Sequence, residues 1–286
     1  MEVKTEKYLT LGLGFLWLLA GILQLQPLMF TQKFVTEVLE PNITNQPHFI
    51  ALLISFGIHL FSLTIPLANF LSAAIQVLIG LLLLLPLTNY WKRFGLWISI
   101  PWVIIVWIFG EGFGNLFTGT ASFYTGAPGS VLLYGIIAFF LLFPKQLKAF
   151  YLPQITGILF FLGGILQMLP MFWMQGMQTM TWQMSQGDTV PFIAAPAKLL
   201  ATTITSTLLF NCIAVALLLL LGLLLYRKPT KLIGGVALLF LFFVWWISQD
   251  FGAVLTFPLG LATDPNSAPL FALMLLPIFT VHKKNV

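Results

Sequence analysis

Residues 67–88 read LANFLSAAIQVLIGLLLLLPLT, a run without a single charge. A bilayer core takes about 20 apolar residues of helix, so this stretch reads as a membrane span. Similar runs occupy 9–28, 95–114, 129–147, 154–173, 207–226, 232–252 and 267–281. Composition agrees with them. Of 286 residues 59% are apolar and only 7% charged, where a soluble domain carries roughly a quarter charged. Aromatics at 15%, with 28 Phe and nine Trp, suit lipid-facing helices with interfacial belts. The predicted fold is all-α integral membrane, with eight transmembrane helices.

The formal charge of +5 raises nucleic acid as a partner, but Lys and Arg fall in short groups between apolar runs. That is a positive-inside pattern, and the expected surroundings are a lipid bilayer, with no nucleic acid. With the N-terminus inside, eleven of the thirteen Lys and Arg face the cytoplasm, leaving Lys33 and Lys198 outside. Expected localisation is therefore the cell membrane, multi-pass, both termini cytoplasmic. The first apolar run follows Lys4 and Lys7 as in a signal peptide, but lacks a small-x-small cleavage site and reads as a retained helix.

The segment 48–65 is long enough to compete as a further span. Pro66 joins it to the next span without a polar turn, and counting it would turn Lys92 and Arg93 outward. Its counterpart 190–207 carries Pro191, Pro196, Lys198 and a cluster of hydroxyl residues from Thr202. Both segments read as helices in the outer interface, packed on the bundle.

Short patterns recur along the chain. Gly21-Ile22-Leu23-Gln24 before Pro27 returns as Gly164-Ile165-Leu166-Gln167 before Pro170. Asn69 with Gly80-Leu81-Leu82-Leu83 returns as Asn211 with Gly222-Leu223-Leu224-Leu225. Trp107, Phe113-Gly114 and Thr118 return as Trp245, Phe251-Gly252 and Thr256, and Ala127-Pro128 as Ala268-Pro269. The offset stays between 138 and 143 residues. The expected organisation is two four-helix membrane repeats, 1–150 and 151–286, in parallel orientation because each has an even number of spans.

Each half resembles the DoxX-like four-helix membrane family, through a first helix ending in a Gly- and Gln-bearing segment and a second with Gln76 four residues before Gly80. Two departures stand out: the position before Gly222 is Leu218, and the unit is duplicated. The resemblance implies the fold and a quinone- or thiol-linked redox role beside a partner redox subunit, with quinone as the implied cofactor.

Polar residues at membrane depth are the candidates for chemistry. Glu111, between glycines, and Asp250 sit at the outer ends of corresponding spans, where they read as ligand anchors, proton acceptors, hydrated interfacial acids or structural acids bonding the neighbouring loop. Gln24, Gln167, Asn69, Asn211 and Gln249 read as interhelical glue or as amides that hold a ligand. Met171, Met174 and Met177, in a near three-residue repeat, would suit Cu(I) as soft ligands or simply pack at the interface. The lone Cys212 excludes an internal disulfide and multi-cysteine metal sites, and reads as a small buried residue. Three functions fit these residues: a quinone- or thiol-linked membrane redox subunit, a small-solute transporter, or an accessory subunit of a membrane complex, copper-related if the methionines bind metal. Gln24, Asn69, Glu111, Gln167, Asn211, Gln249 and Asp250 are expected toward the outer leaflet.

Overall fold

Glycines let two pairs of helices touch backbone to backbone. In a computed structural model describing residues 3–144, 151–174, 194–196, 198–199, 202 and 207–281, α1 (Val3–Leu23) packs along α3 (Ile65–Leu84). A Cβ at Gly80 would fall 2.6 Å from the Leu18 amide nitrogen. The same contact joins α6 (Tyr151–Leu166) to α7 (Thr207–Arg227), where a Cβ at Gly222 would fall 2.7 Å from the carbonyl oxygen of Gly157. Small residues are what permit such close approach between membrane helices.

The remaining long helices are α2 (His48–Ser62), α4 (Asn89–Phe109), α5 (Ser130–Leu142), α8 (Lys231–Phe243, continued by a wider turn to Ser248) and α9 (Ser267–Leu275). Helices α1, α5, α6 and α9 meet at the centre. Leu13, Tyr134, Ile137, Leu152, Phe160, Phe271 and Met274 form a core shared by both halves of the chain. Outward, α3, α4, α7 and α8 expose Phe70, Leu71, Trp97, Ile104, Leu217, Leu220, Leu239 and Phe242. Apolar surface on that scale is compatible with lipid rather than water.

Among the described residues, five helices are long and apolar enough to cross a membrane: Lys4–Leu23, Ile65–Leu84, Asn89–Phe109, Leu208–Arg227 and Lys231–Ser248. That marks the chain as a helical membrane protein. The stretches 129–147, 154–173 and 267–281 hold the shorter apolar helices α5, α6 and α9. The run 95–114 is displaced toward the N-terminus. Helix α4 starts at Asn89 and stops at Phe109, because the backbone turns left-handed at Phe113 and Gly114. Cys212 is exposed on α7, not buried as its apolar run suggested, since α7 turns that side away from α6.

One end of the bundle, carrying residues 24–47, 110–129 and 249–266, is here termed the upper end. A second, smaller core lies there, built from short helical turns over 27–43 and α2 through Met29, Phe34, Val35, Leu39, Ile50, Ile54 and Ile58. Asn42 and Gln46 amides donate to the carbonyls of Gly110 and Gly112 at 2.8 and 2.9 Å, fixing this cap to the end of α4. Helix α2 starts beside that anchor and ends three residues before α3, so both its ends lie at the upper end. Most of the counterpart segment 190–207 lies outside the described residues, as do Lys145, Lys148, Lys283 and Lys284.

The upper loops cross between the halves. From the first half, Ser122 Oγ donates to Gln167 Oε1 at 2.8 Å, and the Tyr124 hydroxyl to the Ala214 carbonyl at 3.1 Å. From the second, the Ala262 carbonyl accepts from Gln26 Nε2 at 2.9 Å. Each bundle is closed by the other's loop.

Candidate functional site

Gln24 and Asn69 hold each other. Gln24 Nε2 donates to Asn69 Oδ1 at 2.6 Å, and Asn69 Nδ2 donates back to the Gln24 carbonyl at 2.9 Å. Gln167 and Asn211 repeat both bonds, at 3.0 and 3.2 Å. All four are buried. These amides tie the tops of α1 to α3 and of α6 to α7, the work of interhelical glue. Gln24 differs from Gln167 in one respect: its Oε1 accepts no bond from a described residue, and it borders a cavity.

That cavity, of about 150 Å³, lies under α2 between α1, α3, α4 and α5. Its wall is mostly apolar, with Phe34, Ile58, Phe61, Val106 and Phe109. Four polar atoms on the residues of this wall are unpaired. Trp17 Nε1, Trp102 Nε1, Gln76 Oε1 and Glu111 Oε2 are closed off from solvent without a hydrogen-bond partner, and all four residues line the space. A buried donor or acceptor left unmade costs about 1–3 kcal/mol. Four around one void, two of them on residues only 2% (Trp17) and 8% (Gln76) exposed, call for a polar occupant.

Glu111 closes the upper side. Two residues past α4, its Oε1 accepts from Ser130 Oγ at 2.6 Å and from the Val131 amide at 3.1 Å, capping the start of α5. Ser130 Oγ also bonds Asp264 Oδ2, delivered by the loop of the second half, while Asp264 Oδ1 accepts from the Asn266 amide at 2.7 Å. A hydroxyl has one proton to give, so Ser130 serves both acids only if one of them is protonated. Burial, and then the Asp264 charge beside it, pushes the Glu111 carboxyl from an ordinary 4.5 up to about 8. Burial raises Asp264 as well.

The second half makes the same cap without the charge. Gln249 Nε2 donates to Ser267 Oγ at 2.9 Å, and Gln249 Oε1 accepts from the Ala268 amide at 3.1 Å. Gln249, rather than Asp250, therefore occupies the place of Glu111; Asp250 lies one residue on, at a left-handed backbone position. The indoles of Trp107 and Trp245 donate to the carbonyls of Pro128 and Pro265 at 2.8 and 2.7 Å. Pro265, not Pro269, thus answers Pro128.

Where the first half has its cavity, the second has aromatic rings. The Trp17–Tyr134 pair, centroids 4.3 Å apart, is answered by Phe160–Phe271 at 5.5 Å. Phe240 stands where Trp102 does, and Leu218 where Gln76 does. Phe123, from the crossing loop, packs between them at 4.8 Å from Phe160 and 5.1 Å from Phe271. Phe123, Phe160, Phe271 and Leu218 are all fully buried.

Of the residues singled out from sequence, Gln24 and Glu111 line the cavity, and Asn69 backs Gln24. Gln167, Asn211, Gln249 and Asp250 belong to the other bundle. Met171 is half-buried and Met174 exposed, while Met177 lies outside the described residues. Trp17, Trp102, Ser130, Tyr134 and Asp264 were missed. The signal for Trp17, Trp102 and Tyr134 lay in subtracting one half from the other, because each faces a phenylalanine across the pattern that otherwise repeats. No protein-family model, curated protein or solved structure matches the chain.

Proposed function

We propose that the chain is a tandem pair of DoxX-like four-helix units, eight spans in all, with the upper end outside and both termini in the cytoplasm. Its first unit binds the headgroup of a membrane quinone as the quinone-holding subunit of a redox partner. The recurring Gln–Asn and Trp–Pro bonds and the shared glycine contacts support the duplication, and the distribution of Lys and Arg supports the orientation. The observation that carries the function is the set of unpaired polar atoms around one small apolar void. A cavity near 150 Å³ accommodates a single six-membered ring. Two indole N–H donors suit the carbonyl oxygens of the oxidised ring, and Gln76 Oε1 suits a hydroxyl of the reduced one.

Transport is the weaker reading. Below the void, Leu13, Ile79, Leu83 and Ile137 are fully buried, and the hydroxyls of Ser99 and Thr5 stand apart among such apolar residues rather than in a continuous polar path. Thiol chemistry within the chain has only Cys212, exposed on α7 in the other bundle, so a thiol donor would sit on a partner.

Titration of the purified protein with a short-tailed quinone should quench tryptophan fluorescence at one quinone per chain. Trp17→Phe and Trp102→Phe should each weaken binding roughly five- to tenfold, the worth of one hydrogen bond. Unchanged affinity in both variants, or no quenching in the wild type, would rule the reading out.

A further inference from the structure

A second void, of about 390 Å³, lies on the loop side of the same acids. Its wall is polar, with Asn42, Asn115, Thr120, Thr125 and Asn266. The two voids meet at Val38, Gly110, Glu111, Thr263 and Asp264. Among these five, only the acids can carry a proton, and Ser130 joins them. A polar vestibule and an apolar ring site thus share a wall whose only polar side chains besides Thr263 are Glu111 and Asp264. Tyr134, on α5, is the one other titratable side chain lining either void among the described residues.

We propose that Glu111, Ser130 and Asp264 form a proton relay between the vestibule and the buried cavity. The proposal rests on the quinone reading above. One acid takes a proton from vestibule water. Ser130 accepts a proton from one carboxyl while giving its own to the other, and the cavity-side acid hands a proton to a ring oxygen. Reduction of the bound quinone consumes two electrons and two protons, and makes two O–H bonds as the two carbonyl π-bonds rearrange into the aromatic ring. The electrons come from an external reductant, dithionite in the test. Each proton leaving an acid is replaced from the vestibule, so the carboxyls finish as they began. The shared proton already needed to satisfy both acids through one hydroxyl is the loaded state of this relay. The Glu111 carboxyl, held up to about 8 by burial, keeps that proton at neutral pH.

The variants are Glu111→Gln, Asp264→Asn and Ser130→Ala. Glu111→Gln has a precedent for folding within the chain, since Gln249 makes the equivalent cap. With full-length protein in excess over a short-tailed quinone, and quinone bound as judged by tryptophan quenching, a dithionite pulse should form quinol in the wild type with a solvent isotope effect. Each variant should form it at least tenfold more slowly, and millimolar formic acid should restore the rate in Glu111→Gln and Asp264→Asn. Wild-type rates in all three variants, or slowed rates that formic acid does not lift, would overturn the relay while leaving quinone binding in place. Absence of quenching in the wild type would instead overturn the quinone reading.

Discussion

Glu111 and Gln249 cap the following helix through bonds to equivalent groups, a serine hydroxyl and the next backbone amide, and differ by one ionisable group. The difference should be visible in stability against pH. The folded carboxyl titrates near 8, against 4.5 when free, so between these values the folded state holds a proton that the unfolded state has lost. Stability therefore falls as pH rises from about 4.5 to 8 and levels off above, since the state binding more protons is favoured at lower pH. Thermal unfolding in detergent should show this decline, and Glu111→Gln should flatten it. An identical slope in the variant would mean the acid does not carry the proton. At this scale the sequence was partly legible. An acid flanked by Gly110 and Gly112 announces itself, whereas Asp264 lies 134 residues from Ser130, and no spacing rule connects residues brought together by a crossing loop.

The helices were legible as apolar runs, their ends less so. Hydropathy cannot register where a backbone changes hand, so the run 95–114 extends through Gly110–Gly114, where α4 has already stopped. It also misses Asn89–Phe94, whose polar and basic residues continue the helix. Glycine spacing read more reliably, because Gly80 and Gly222 each meet a backbone rather than a side chain. Leucine at Gly222 should therefore push α6 from α7 and destabilise the protein by about 1–3 kcal/mol or more, as overpacking does. Leucine at Gly235, where nothing lies within 4 Å, should cost little. Comparable melting temperatures for Gly222→Leu and Gly235→Leu would refute the close contact.

For the whole molecule, sidedness can be read by labelling single cysteines in a Cys212→Ser background in intact cells. Lys33→Cys should react with an impermeant maleimide, and Lys92→Cys and Lys228→Cys only after the cells are opened. Outside labelling at Lys92 would turn α2 into a span and undo the eight-helix arrangement. The crossing loops bear on a different matter, whether either half can be made alone. Phe123 seals the second bundle, and Asp264 completes the wall of the first. A chain cut between the halves would leave the first without its second acid and the second without its aromatic stopper. The two halves are therefore one unit of expression, however alike their patterns read.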